Sequence, residues 1–254
     1  MSECRDAFGF TLDDFLFFGG FPGAARFASD ERRWRAYLRD SIIEPTISND
    51  VLEQEDVRKP ALMRALFEFG ARFSAQELSY SKLVGQLQDA GNTTTLAHYL
   101  ALLDKAGVLC GLEKYHPKAI ERKRSSPRFM VYDTSLMTAA SGSTRDALFG
   151  NSEAKGHLVE SAIGAHLLAL GPDCGFQVGW WREGSAEVDF VLSGQGKLAA
   201  IDVKSGRTKS QGGMAAFLKK HPEAQRVVVG GGAAGACTVE DFLLDRVDLP
   251  WLLE

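Results

Sequence analysis

Apolar and polar residues alternate most regularly in two neighbouring runs, Glu187-Val188-Asp189-Phe190-Val191-Leu192 and Ala199-Ala200-Ile201-Asp202-Val203-Lys204. Successive side chains of a strand point to opposite faces, so both runs read as strands. Strict alternation places Val188, Phe190, Leu192, Ile201 and Val203 on one face and Glu187, Asp189, Asp202 and Lys204 on the other. The intervening Ser193-Gly194-Gln195-Gly196 supplies a turn. Strands paired through it bring carboxylates and an ammonium to one patch, which suits a divalent cation and a polarised water. The same charges also suit the solvent face of an ordinary antiparallel sheet.

The 3.6-residue period marks helices on both sides of these strands. Residues 153–168 form an amphipathic helix capped by Asn151 or Ser152, with Glu160 on one i, i+4 ridge between Gly156 and Gly164. Each internal glycine costs ~1 kcal/mol relative to alanine. Two of them imply a close backbone approach, either around the carboxylate or in a tight helix-to-sheet contact. Strands at about 176–182, 187–192 and 198–204, a helix at about 213–220 and a strand at about 226–229 complete an α-β-β-β-α-β order. In Trp180-Trp181-Arg182, alternation puts one indole inside and the other outside, where edge packing or stacking on a base are both open.

Upstream, helices are expected at about 61–69, 79–88 and 93–105, the last capped by Asn92 or Thr93 and followed by Gly107. Leu96, Tyr99, Leu100 and Leu103 form its buried stripe, leaving Thr94, Thr95 and His98 on the exposed face. Three short helices, a strand and a basic loop predict a winged-helix-like unit, a form that serves nucleic-acid grooves and protein docking alike. The loop carries Lys114, Lys118, Arg122, Lys123, Arg124 and Arg128 against Glu113 and Glu121, and Pro117 and Pro127 mark it as a loop or hairpin. Contact with phosphates and a simple solvated face are both open for it.

Composition narrows the class. The chain has 254 residues, 45% of them hydrophobic, enough to bury a core in two or more small domains. A net charge of -4 argues against a protein that coats nucleic acid over its whole surface, while local basic patches remain available. Cys4, Cys110, Cys174 and Cys237 lack metal-ligand or paired spacing, which predicts a reducing compartment and no structural zinc. No apolar run reaches the roughly 18 residues of a membrane helix, and the start lacks the pattern of a secretory signal, so a cytoplasmic location and no membrane partner are expected.

The α-β-β-β-α-β order, with an acid on the helix, Asp on the second strand and Asp-x-Lys on the third, resembles the PD-(D/E)XK nuclease superfamily. Glu160, Asp189, Asp202 and Lys204 match its positions over about the last hundred residues. A second resemblance covers nearly the whole chain. Phe17-Phe18-Gly19-Gly20-Phe21-Pro22, Arg33-Trp34-Arg35-Ala36-Tyr37-Leu38-Arg39-Asp40, Thr93-Thr94-Thr95-Leu96-Ala97-His98-Tyr99-Leu100 and Phe129-Met130-Val131-Tyr132-Asp133-Thr134 look like a prokaryotic AAA+ ATP-binding family downstream of its ATPase module. In that family this region is a domain of unknown function that ends in a nuclease-like fold. Full-length members carry an N-terminal P-loop, and no G-x-x-x-x-G-K-[ST] occurs here; Gly230-Gly231-Gly232 has no Lys-Ser or Lys-Thr behind it. The resemblance therefore implies a fragment or shortened relative that is not an ATPase as given.

These readings predict an α+β chain with a helical N-terminal segment over 1–58, a winged-helix-like domain over 59–140 and a restriction-endonuclease-like domain over 150–254. The resemblance implies a hydrolase of nucleic-acid phosphodiester bonds that uses Mg²⁺ or Mn²⁺. Asp189, Asp202 and the Val203 carbonyl would hold the ion, Glu160 a metal-bound water or second ion, and Lys204 would orient the attacking water and offset phosphorane charge. His157 lies one turn before Glu160, and Arg207, Lys209, Ser210 and Gln211 follow Lys204 near the expected site. The alternative is a non-catalytic module that binds DNA or docks to a AAA+ ATPase or another protein. The expected nucleic-acid contacts are Lys114, Lys118, Arg122, Lys123, Arg124 and Arg128 with Thr94, Thr95 and His98.

Overall fold

Local capping sets the first helices of the computed structural model, which describes residues 1–52, 57–87, 91–117, 126–204, 212–232 and 235–251. After α1 (Ser2–Phe8), α2 (Leu12–Phe18) begins in a capping box: the Thr11 hydroxyl accepts from the Asp14 amide, and the Asp14 carboxylate accepts from the Thr11 amide at 3.0 Å. A short α3 (Pro22–Ala25) and α4 (Glu31–Tyr37) follow, and α4 continues into wider π-type turns over Leu38–Ile43, with a second such segment at Thr46–Leu52. Phe17 stacks on Trp34, and Phe18 meets both rings edge-to-face, at the centre of a small aromatic core that also takes in Leu148.

The next helices are α5 (Pro60–Arg72), α6 (Tyr80–Gln86) and α7 (Thr93–Lys105). Asn92 caps α7 by accepting from the Thr95 amide at 2.8 Å. Leu96, Tyr99, Leu100 and Leu103 are buried, as the periodicity predicts. Strand β1 (Leu109–Leu112) pairs antiparallel with β2 (Arg128–Val131). Helices α8 (Thr134–Ser141), α9 (Arg145–Gly150) and the long α10 (Ser152–Cys174) lead into the main sheet.

That sheet contains β3 (Gln177–Glu183), β4 (Ala186–Gly194), β5 (Lys197–Lys204) and β6 (Gln225–Gly230) in sequential order. The first three strands are antiparallel neighbours; β6 joins parallel to β5 after the crossover helix α11 (Gly212–Lys220). Helix α12 (Val239–Leu243) follows. One face of the sheet, through Phe190, Ile201, Val203, Val227 and Val229, joins residues of α10 in the largest core. The other, through Trp181, Val188, Val191 and Ala200, packs with Met214 and Phe217 of α11.

The chain is thus a mixed α+β protein, with two sheets among the described residues. Its largest core runs without interruption from α5 and α7 through β1 and β2 to the main sheet, so it crosses the 140–150 boundary drawn from sequence. Among the described residues no helix is long and apolar enough to cross a membrane.

Candidate functional site

Strands β4 and β5 pair from Gly194 and Lys197 up to Phe190 and Ile201, then part, while β4 extends back to Ala186 and β5 onward to Lys204. On the other side of β4, Gly179 opposes Val191 and Trp181 opposes Val188, so Trp180 faces two residues, Asp189 and Phe190. This is a β-bulge, and it breaks the strict alternation expected from sequence. Val188 packs with Val191 on the α11 side, not with Phe190 on the α10 side. Asp189 turns towards the parting strands. Its Oδ2 accepts from the Val203 amide at 2.8 Å, and its Oδ1 lies 3.8 Å from Arg128 Nη1. The amide and carbonyl of one strand residue face the same edge, so the Val203 carbonyl faces this gap as well.

Asp202 and Lys204 lie on the face of β5 that carries Ala200. Asp202 is buried, and the Lys204 ammonium sits 2.5 Å from its Oδ2. Gly230 and Gly231 have φ of 81° and 75°, and a Cβ on Gly231 would lie 2.6 Å from the Lys204 Cβ. The triple glycine without a phosphate-loop lysine therefore has a packing role: it lets a loop run against the stem of Lys204.

Glu160 is buried on α10, with His157 Nδ1 3.7 Å from its Oε2. A Cβ on Gly164 would lie 2.5 Å from Met130 Sδ and 3.0 Å from Phe190, so this glycine serves helix-to-sheet packing, the second of the two explanations open from sequence. Among the described residues no group of three or more His, Cys, Asp or Glu side chains is gathered to hold a metal ion. Glu160, Asp189 and Asp202 thus do not form one three-carboxylate centre. Mg²⁺ commonly takes only one or two carboxylates and keeps several waters. Asp189, Asp202 and the Val203 carbonyl fit that requirement: hard oxygen donors, both carboxylates buried, set where two strands part.

Arg128 departs most from its sequence reading. It is 3% exposed and forms no part of a solvated basic face. Its guanidinium lies over the Trp180 ring at 4.8 Å, pairs with Glu187 and donates to the Asp189 carbonyl at 3.1 Å. Arg182 pairs with Glu187 and with Glu77. Burial pushes the Glu187 carboxyl up, but Arg128 and Arg182 outweigh it and hold the group below the ordinary carboxylate range. Trp180 and Trp181 are both buried, one on each face of the sheet, and the Trp180 indole donates to the Leu112 carbonyl at 3.1 Å. The expected outer indole is covered by Phe217.

Of the other expected contacts, Thr94 and His98 are exposed, Thr95 is half-buried with its hydroxyl on Asn92, and Lys114 is half-buried. Lys118, Arg122, Lys123 and Arg124 lie outside the described residues, as do Arg207, Lys209, Ser210 and Gln211. Sequence reasoning missed Arg182, Glu77 and the inward role of Arg128. The one local signal was Glu187, an acid in a strand that needs a cation if buried.

Fold and site together define a mixed α+β protein whose main sheet carries buried aspartates and a lysine where two strands part. The chain belongs to the family described as Domain of unknown function (DUF8612), whose model matches residues 9–147. A second model, Domain of unknown function (DUF4143), matches residues 155–242. Uncharacterized proteins of Mycobacterium bovis and Mycobacterium tuberculosis are each 30% identical over 215 residues, covering 81% of this chain and 46% of the relative. The chain therefore spans about half the length of the curated relatives it matches. No solved structure matches it.

Proposed function

We propose that the C-terminal half of this chain is a nuclease-like module that hydrolyses phosphodiester bonds of nucleic acid with Mg²⁺ or Mn²⁺. The observation that carries this reading is the burial of Asp189 and Asp202, with the Lys204 ammonium against Asp202, at the parting of β4 and β5. Ionised groups are costly to bury, and an ion pair is often no more stable than apolar residues of the same volume, so packing alone gives no reason to collect these three. The order α10-β3-β4-β5-α11-β6 supports a restriction-endonuclease-like reading of the module. The three helices α5 to α7 with the β1–β2 pair support a winged-helix-like reading of the part before it.

Asp189, Asp202 and the Val203 carbonyl would hold the ion, which when bound polarises the phosphate and its attacking water. Lys204 would leave Asp202 to orient that water and to offset charge developing on the phosphorane. Glu160 would act from α10 through a water. Thr94, Thr95, His98 and Lys114, with Lys118, Arg122, Lys123 and Arg124, would meet nucleic-acid phosphates. Four free cysteines fit a reducing compartment, which we take to be the cytoplasm.

A second reading keeps the fold and drops the chemistry. In it the chain is a binding or regulatory module that docks to a AAA+ ATPase, nucleic acid or another protein. The DUF4143 match favours this, because that domain is associated with AAA ATPases. Incubation with single-stranded, duplex and branched DNA and with RNA separates the two. Cleavage that needs Mg²⁺ or Mn²⁺, vanishes in EDTA and survives repurification supports the nuclease; inertness on every substrate, maintained in the longer protein, leaves the docking role.

A further inference from the structure

We propose that Arg128 is the positioning residue for Asp189, so that the candidate site in the DUF4143-matching half is completed by a side chain from the DUF8612-matching half. A β-bulge disrupts the ladder locally at its extra residue. Here the residue is Asp189, and Arg128 Nη1 donates to its carbonyl at 3.1 Å while lying 3.8 Å from its Oδ1. Arg128 Nη2 meanwhile pairs with Glu187, two residues earlier on β4. One planar guanidinium thus spans a backbone oxygen and two carboxylates, a geometry that a lysine ammonium cannot reproduce.

The guanidinium is itself held in place. It lies over Trp180, the residue opposite the bulge, and its strand β2 pairs with β1. Arg128 Nε is buried without a hydrogen bond among the described residues, so its hydrogen bonds are made through its Nη ends. With the carbonyl and Oδ1 tethered on the Arg128 side, the other carboxylate oxygen of Asp189 is directed at the Val203 amide. Arg128 thereby sets the rotamer on which the proposed ion site depends. The functional meaning of this tether rests on the nuclease reading; the tether does not.

The test uses the full chain with Arg128→Gln and Arg128→Lys. The primary readout is hydrogen exchange of the Val203 amide by NMR, with amides of the β5–β6 ladder as internal reference. Loss of the tether should speed Val203 exchange about tenfold relative to that ladder in Arg128→Gln, with partial recovery in Arg128→Lys. A loss of Mn²⁺ affinity should run parallel. Unchanged Val203 exchange in the folded variants overturns the proposal, and Arg128 is then only a neutralising charge. Where Arg128→Gln does not fold, Arg128→Lys gives the same readout. A wild-type chain that binds no Mn²⁺ overturns the nuclease reading, while Val203 exchange still decides the tether.

Discussion

Asp189 Oδ2 accepts the amide hydrogen of Val203 at 2.8 Å across the gap where β4 and β5 stop pairing. The carboxylate therefore replaces a ladder carbonyl. Asp189→Ala should leave a buried amide unsatisfied and cost about 1–3 kcal/mol. Asp189→Asn can present its amide oxygen to Val203 and should keep most of that stability. If the proposed ion site is real, millimolar Mg²⁺ should raise the melting temperature of the wild-type chain and both variants should abolish that rise, read by thermal denaturation with and without the ion.

Gly19 and Asp133 set the second prediction. Asp133 caps α8 through the Ser135 amide at 2.8 Å and also accepts from the Gly20 amide at 2.7 Å. Gly19 has φ 72° and ψ -163°, a conformation that only glycine adopts readily, and a Cβ there would enter the Asp133 carboxylate. Gly19→Ala should lower stability by roughly 2 kcal/mol or more, read from the urea midpoint.

These two sites mark what the sequence made legible. Elements with a clean local period were readable: the buried stripe of α7, the α10-to-β6 order, and the placement of Asp202 and Lys204 on one face. The bulge at Asp189 was not, because it arises from the pairing of β4 with Trp180 on β3, and alternation within one strand carries no record of its partner's register. Arg128 looked like the end of a basic run because its neighbours in sequence are basic, whereas its partners Glu187 and Asp189 lie 59 and 61 residues away. Gly19-Gly20 stood out in the sequence only as part of the family-like run from Phe17 to Pro22; its partner, Asp133, is 113 residues from Gly20.

The Glu187 network predicts a pH dependence. Its folded-state pKa lies below the unfolded value, so its ionised form contributes stability above the ordinary glutamate range. That contribution is lost as pH falls through the folded-state value. The resistance of the wild-type chain to urea should therefore fall as pH drops below about 4.3, the unperturbed glutamate value. Glu187→Gln should be less stable at pH 7, since Arg128 loses a charged partner, and should lack that part of the acid slope.

The exposed face of α7 gives a separate test of nucleic-acid contact. Thr94→Glu with His98→Glu adds negative charge at exposed positions and should leave folding intact. If this face and the basic segment meet phosphates, the double variant should weaken DNA binding. Reversal of Arg122, Lys123 and Arg124 to Glu should also flatten its dependence on salt. Fluorescence anisotropy across a salt series reads both; unchanged affinity and slope would assign the face to solvent.

The most direct measurement of the central claim is metal-dependent cleavage by the wild-type chain beside Lys204→Ala and Asp202→Ala, with Mn²⁺ binding followed in the same preparations. Asp202 is proposed as an ion ligand and Lys204 as the group that handles water and charge, so their losses should differ. The account predicts that the wild-type chain binds Mn²⁺ and cleaves, that Lys204→Ala binds Mn²⁺ but loses cleavage by at least about a hundredfold, and that Asp202→Ala loses both. Cleavage that persists undiminished in Lys204→Ala, or a wild-type chain that neither binds Mn²⁺ nor cleaves any substrate, would contradict it.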